Sequence, residues 1–403
     1  MSCALDAVVV PVHLRRIRPQ IRVPLERALD GVRIDEADAQ VLIDTEAPDE
    51  VGALIAVAGY LRTRLHGTVT TFSPKVFLPV TNVCRNRCSY CTFRSDPDDA
   101  HAWTMAPDEI RTSSRNGRAL GCIEALMCLG DKPELAFDSY RATLRQLGHA
   151  STLAYVHQAC EIALEEGLLP HTNAGLMSRE ELESLKAVNV SMGSMLENVS
   201  PRLRRKGEAH YYSPDKDPER RLAMMRHAGE LRIPFTTGIL IGIGETRAER
   251  VASLGAIRDL HRDYGHIQEV IIQNLRVKPT TAMVGRHEPD SLDIARTIAV
   301  ARLMLGGMNI QAPPNLSPYD HRLLLAAGIN DWGGISPLTP DYVNPEAPWP
   351  HIAALAETCR AQGFTLQRRL PIYSEFIDGP GFLESSLRRL IAERTAQSGA
   401  QLC

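Results

Sequence analysis

A short apolar run rich in β-branched residues, a polar loop and a segment of helical period recur in that order about eight times over roughly 260 residues, and no other feature constrains the fold as strongly. The runs begin near Val76, Glu124, Leu168, Val188, Phe235, Glu269, Asn309 and Gly328. Helix signals fill the intervals. Ser178 followed by Glu181, and Thr246 followed by Glu249, are capping boxes. Gly265 stops the second of these helices, and Pro107 and Pro218 stand where a first helical turn would start. Ile294, Ile298, Ala301 and Leu305 mark a further amphipathic face. This alternation predicts an α/β fold whose parallel strands close into a (β/α)8-type, TIM-like barrel. Runs such as Val270-Ile271-Ile272 suit strands buried on both faces. Residues 1–70 read as a helical N-terminal lead-in, 71–345 as the barrel core, and 346–403 as a closing helix (Ile352 to Ala361) and tail.

Barrels of this kind carry their chemistry at the C-terminal ends of the strands. The expected ends hold Asn82, Gly130-Asp131, His171-Thr172-Asn173, Ser191, Gly242 to Glu245, Gln273-Asn274, Gln311 to Asn315, and Asn330-Asp331. Small and polar residues gather there, where a chain built only for its core needs none. The balance of 45 basic against 48 acidic residues, net charge -3, argues against nucleic acid or a polybasic membrane contact as partner. The longest apolar stretches run to about ten residues, too short to span a bilayer. Asp6 interrupts the first apolar run, and the arginines follow that run instead of preceding it. The N-terminus therefore does not read as an export signal, and the expected location is the cytoplasm.

Nine cysteines are present. Six are scattered, as small buried or surface residues usually are. The other three, Cys84, Cys88 and Cys91, fall in Thr81-Asn82-Val83-Cys84-Arg85-Asn86-Arg87-Cys88-Ser89-Tyr90-Cys91, directly after the first expected strand. Three thiolates on one tight loop are good ligands for soft metal. A structural zinc would need a fourth ligand with its own close spacing, and His101 has no partner. A free-thiol cluster is a further option. An iron–sulfur cluster held by three cysteines would leave one iron open to a substrate or cofactor, with Arg85 and Arg87 either offsetting its charge or merely solvated.

The Cys-x3-Cys-x2-Cys spacing, with Tyr90 before the third cysteine, resembles the signature of the radical S-adenosylmethionine superfamily. That resemblance implies a 4Fe-4S cluster on Cys84, Cys88 and Cys91 whose open iron chelates S-adenosylmethionine. An electron then breaks the sulfonium–carbon bond, and a 5′-deoxyadenosyl radical abstracts hydrogen from substrate, the protein orienting the cofactor and excluding water. It further implies a cofactor site at Asp131 for the methionine amino group, Gly242 and Gly244 beside the adenine, and Ser191 and Glu197 near the ribose.

Longer stretches narrow the resemblance: Gly167 to Asn173, Ser191 to Glu197, Ser213 to Pro218, Ile233 to Gly238, Gly265 to Asn274, Gln311 to Leu316 and Gly328 to Pro340. Together they look like the ring-closing subunits of the deazaflavin-forming synthases. The implied substrate is an adduct of a tyrosine-derived hydroxybenzyl group with 5-amino-6-(D-ribitylamino)uracil, delivered by a sister radical enzyme on a separate chain. The implied reaction is hydrogen abstraction, ring closure and loss of ammonia. An electron donor is needed and is not identified by the sequence. Gln273, Asn274, Gln311, Asn315, Asn330 and Asp331 would suit the polar ends of such a substrate, and His171 and Tyr211 are candidate proton carriers. Alternatives are a barrel enzyme acting on futalosine-type or biotin-type precursors, and a non-catalytic metal-binding protein.

Overall fold

The computed structural model describes residues 14–398; Cys3 and Cys403 lie outside them. Eight parallel strands pair in chain order: β1 (Val69–Pro79), β2 (Glu124–Cys128), β3 (Leu169–Asn173), β4 (Ser191–Gly193), β5 (Phe235–Ile241), β6 (Ile267–Asn274), β7 (Asn309–Gln311) and β8 (Asp331–Ile335). Because β1 bonds both β2 and β8, the sheet closes into the expected barrel. Helices fill the outer layer. The capping boxes at Ser178 and Thr246 are both formed, and Gly265 ends the helix Arg247–Tyr264 at φ +65.

The lead-in is helical: Pro19–Leu29, Glu36–Ile43 and Pro48–His66 precede β1. The last two lie against the helices Arg247–Tyr264 and Ser291–Leu305. The sequence marks Ser291–Leu305 as amphipathic, yet it is buried continuously from Ile294 to Leu305. The lead-in covers the face that would otherwise meet water, so its polar members find internal partners.

A ninth strand, β9 (Thr365–Arg368), pairs with Val69–Phe72 of β1, below the stretch Lys75–Pro79 that bonds β2. The sheet therefore takes in residues that the sequence divides off as a tail. Four half-exposed or exposed residues without apolar alternation give no strand signal; backbone pairing to the long first strand makes this one. Beyond it, Leu370, Ile372 and Phe376 pack with Leu169 and Val190 across the N-terminal end of the barrel.

Two strand boundaries differ from expectation, and they move site residues. Val188-Asn189-Val190 looks like a strand but connects the helix Arg179–Lys186 to β4, so Ser191 opens its strand instead of closing it. Gly328-Ile329 likewise precede β8, which puts Asn330 just before that strand and Asp331 at its start. All three therefore belong to the barrel floor, away from the C-terminal mouth.

Candidate active site

The cysteine loop leaves the barrel directly after β1 and is pinned by its own backbone. Thr81 bridges Thr104, Val83 bridges Ser95 and Arg87 bridges Tyr212. Asn82 clips the loop to residues 95–103: its amide donates to Ser95 Oγ (3.1 Å) and to the His101 carbonyl (2.7 Å), and its oxygen accepts from the Trp103 N–H (2.8 Å). The end of β2 runs close beneath. A Cβ on Gly130 would stand 2.0 Å from the Val83 carbonyl oxygen and 2.8 Å from Cys84 Cβ, so only glycine allows this approach. The next N–H, of Asp131, donates to Cys84 Sγ (3.1 Å), and the Ser213 hydroxyl donates to Cys88 Sγ (3.2 Å). Hydrogen bonds to sulfur ligands are a protein's means of tuning an iron–sulfur potential.

Cys84, Cys88 and Cys91 all border one chamber of about 270 Å³ at the C-terminal mouth of the barrel. Burial pushes the Cys84 thiol up to about 12. The donor set fits a thiolate-bound iron–sulfur cluster: three soft sulfurs around a shared hollow, two of them already accepting hydrogen bonds. Asp131 borders the same chamber. Its Oδ2 accepts from the Asn86 amide (3.2 Å) and the Leu176 N–H (3.3 Å), while its Oδ1 is buried with no partner among the described residues. Burial and the neighbouring Asp215 push its carboxyl up to about 7. A buried acceptor with no donor is costly, which makes this position receptive to a cationic N–H donor.

Glu197 borders the chamber too, in the left-handed conformation at φ +64, a costly one for a residue with a side chain. Its carboxylate is fully engaged: Tyr90 Oη donates at 2.5 Å, His210 Nε2 lies at 2.9 Å, and Lys216 closes an ion pair. Burial alone would raise its pKa; Lys216, His210 and Arg221 together hold it well below the usual carboxylate range. Through Tyr90 this group ties the loop after β4 to the cysteine loop.

A second chamber of about 220 Å³ lies deeper in the barrel, and Cys128, Asn173, Gln273 and Tyr342 border both. Alternate residues face into it, as strand geometry requires: Lys75 and Phe77 on β1, Glu124 and Leu126 on β2, Glu269 and Ile271 on β6. Its polar content is buried. Lys75 Nζ donates to Glu124 Oε1 (2.8 Å) and Ser73 Oγ to Glu124 Oε2 (2.5 Å). On the floor, Arg369 bonds Asp331 twice (2.6 and 3.0 Å) and Glu269 once (2.7 Å).

The candidates named from sequence therefore separate. Asp131, Glu197, Gln273 and Asn274 border the upper chamber with the cysteines; His171, Gln311 and Asn315 border the lower, as does Gln273. Ser191 is not a ribose contact in this arrangement: its hydroxyl is spent on the Pro371 carbonyl and on His171. Asn330 is spent on Arg302, Asn309 and the Ile310 N–H, and Asp331 on Thr71 and Arg369, so neither is offered to a substrate. Gly242 and Gly244 lie past the chamber wall, where the Gly242 and Ile243 N–H groups turn onto the Glu245 carboxylate; Leu240 is the last β5 residue bordering the chamber. Tyr211 is exposed on the outer surface beside Tyr212.

Sequence reasoning passed over Asn86, Lys216 and Arg221. Asn86 bridges Asp131 and the Asp215 backbone, Arg85 pairs with the buried Asp215, and Lys216 and Arg221 bring positive charge to the chamber. The stretch Ser213 to Pro218 was the available signal, since it places charged residues between two prolines with no strand to build.

Residues 78–257 match the model of the Radical SAM superfamily. A 7,8-didemethyl-8-hydroxy-5-deazariboflavin synthase of Methanopyrus kandleri is 46% identical over 310 residues, which cover 77% of this chain and 93% of that protein. An FO synthase of Mycobacterium tuberculosis is 45% identical over 406 residues, covering 96% of this chain and 47% of that longer protein. Among solved structures, the FeFe-hydrogenase maturase HydG of Carboxydothermus hydrogenoformans superposes with a TM-score of 0.71 at 18% identity, covering 91% of this chain and 83% of that one. Methylornithine synthase (PylB) superposes at 0.66 with 19% identity, covering 86% and 97%. These two likenesses concern the fold.

Proposed function

Since this chain belongs to the 7,8-didemethyl-8-hydroxy-5-deazariboflavin synthase family of radical SAM enzymes, we propose that it performs the ring-closing half of deazaflavin formation. Its substrate is then the hydroxybenzyl adduct of 5-amino-6-(D-ribitylamino)uracil. Hydrogen is removed, the ring closes and ammonia leaves; S-adenosylmethionine is consumed, and methionine and 5′-deoxyadenosine are released. The observation that carries this reading is the meeting of Cys84, Cys88, Cys91 and the unpartnered Asp131 oxygen around one chamber that opens into a second, polar one.

A 4Fe-4S cluster held by Cys84, Cys88 and Cys91 supplies, when bound, the electron that cleaves the cofactor's sulfonium–carbon bond. The chain's own side chains do the rest by position. Asp131 Oδ1 accepts from the amino group of S-adenosylmethionine. Lys216 and Arg221 put positive charge on the wall that a carboxylate would face. The half-buried Tyr342 borders both chambers, and its ring adds apolar wall where they meet, which helps keep water from a reactive carbon centre. The longer relatives match this chain over about half their length. The adduct is the product of the sister radical activity, and an external reductant supplies electrons. Among the described residues no helix is long and apolar enough to cross a membrane.

Anaerobic protein reconstituted with iron and sulfide, then given reductant, S-adenosylmethionine and the adduct, should yield one fluorescent deazaflavin by mass spectrometry. Cofactor cleavage with a futalosine-type or biotin-type precursor, and none with the adduct, would rule the assignment out. Asp131→Ala is expected to weaken S-adenosylmethionine binding about 10- to 100-fold, since hydrogen bonds to charged groups contribute about 1.5–3 kcal/mol. Iron content should be unchanged. Calorimetric titration reads the affinity, and an unaltered value removes Asp131 from the cofactor site.

A further inference from the structure

The deeper chamber contains a hydrogen-bond relay that the cluster chemistry does not use. His171 Nδ1 lies 2.7 Å from Ser191 Oγ, and the Ser191 hydroxyl lies 2.5 Å from the Pro371 carbonyl oxygen. A carbonyl oxygen can only accept, so the single serine proton points at Pro371. The hydrogen between His171 and Ser191 must then come from the imidazole, which is protonated at Nδ1. Burial pushes the His171 pKa down to about 4, reinforced by Lys75 and Arg369 and opposed by Glu124. The ring is neutral, and Nε2 keeps a lone pair. Among the described residues Nε2 has no hydrogen-bond partner, and His171 borders the chamber.

The opposite kind of group is held in the same space. A Cβ on Gly334 would lie 1.9 Å from Lys75 Cε and 2.6 Å from Lys75 Nζ, so the bare backbone of β8 lets the lysine lie across it. Lys75 Nζ has Glu124 as its hydrogen-bond acceptor, and an ammonium has three N–H donors. Asn315 adds a second acceptor: its amide donates to Asp341 Oδ2 (2.9 Å) while its Oδ1 is buried with no donor among the described residues. The chamber thus combines acceptors lacking donors with a donor that has capacity left. A cyclic imide, in which an N–H donor sits beside carbonyl acceptors, offers one group to the imidazole and another to the lysine.

We infer that the lower chamber reads a cyclic-imide heterocycle, and that His171 Nε2, held in its accepting form by Ser191 and the Pro371 carbonyl, takes the imide N–H. The inference rests on the deazaflavin reading, whose pyrimidinedione is such an imide. His171 is then a substrate-touching specificity residue, and Ser191 and Pro371 are positioning residues. This also gives the buried Ser191 a purpose that cofactor contact does not.

The test uses reconstituted protein and two probes, 7,8-didemethyl-8-hydroxy-5-deazariboflavin and its N3-methyl analogue, with affinities from calorimetry. Wild-type protein should bind the parent about 10-fold or more tighter than the methylated probe, because a site built for an N–H rejects a ligand lacking it. In His171→Leu that ratio should collapse toward one, in His171→Gln it should partly recover, and S-adenosylmethionine affinity should hold in both. Nitrogen-15 spectra of histidine-labelled wild-type protein, with the His171 signal identified by its loss in His171→Gln, should show a neutral ring protonated at Nδ1. Parent binding unaffected in His171→Leu, or a ring protonated at Nε2, overturns the inference alone. Failure of wild-type protein to bind either probe overturns the deazaflavin reading and the inference with it.

Discussion

Alanine at Cys84, Cys88 or Cys91 is expected to yield a folded barrel that holds no 4Fe-4S cluster and makes no deazaflavin, a complete loss from each single change. The three thiols are the donor set of one hollow, so removing any one leaves two ligands for a cluster that needs three from the protein. The fold should survive, because the loop is held by Asn82 and by backbone bridges at Thr81 and Val83, none of which involves a cysteine side chain. Iron and sulfide content, visible absorbance and electron paramagnetic resonance read the cluster; thermal melting reads the fold. Cys128 is the informative control. Its thiol also borders the upper chamber, but it closes β2, in register with Pro79 and Asn173, instead of riding on the loop. Cys128→Ala should retain the cluster, and the spectrum of the reduced protein should still change when S-adenosylmethionine is added. If Cys128→Ala lost the cluster, or if the cofactor left the wild-type spectrum unaltered, the open iron corner on which the proposed chemistry depends would not exist.

How much of the molecule is legible in the sequence depends on how locally each feature is determined. The eight barrel strands and the capped helices are legible because period, caps and turn glycines are written in adjacent residues. The cysteine loop is legible because ligand spacing is local as well. Strand β9 is not, since Thr365–Arg368 becomes a strand only by pairing with residues nearly 300 positions earlier. The same limit misplaces Ser191, Asn330 and Asp331. A β-branched residue before a polar one looks alike whether it ends a strand or leads into one, and only the register with neighbours decides. Asn86 escapes notice for a related reason. It lies between two ligands and looks like spacer, yet its side chain reaches Asp131, on the loop after β2. His171 stands out as a proton carrier, but its orientation depends on Ser191 and Pro371, 20 and 200 residues away.

Arg369→Ala should be the most destabilising substitution at the barrel floor, costing on the order of 3–5 kcal/mol at pH 8. The guanidinium is almost wholly buried, fork-bonded to Asp331 and bonded to Glu269, with its third nitrogen on the Leu370 carbonyl and its face 4.6 Å from the Tyr373 ring. Removing it leaves two buried carboxylates facing one another with no cation between them. The pH dependence comes from the pair. Asp331 is buried, which would raise its pKa, but Arg369 holds it below the usual range; Glu269 is pushed up to about 7 by burial and by Asp331, against the pull of Arg369. Without the arginine, both folded-state values rise above the unfolded ones near 4. The unfolded chain then releases protons that the folded variant retains, so the variant loses stability as pH rises from about 4 through 7 and beyond. In acid, where both carboxyls are protonated, the arginine has little to neutralise, and the gap between wild type and variant should narrow. Urea unfolding at pH 5 and pH 8 measures both differences. Adding Glu269→Gln and Asp331→Asn to Arg369→Ala should recover part of the loss at pH 8 and almost none at pH 5, because only at the higher pH does the uncompensated charge exist to be removed. A deficit of equal size at both pH values would mean that Arg369 acts through packing of β9 and the segment after it, and not through the charges beneath the chamber.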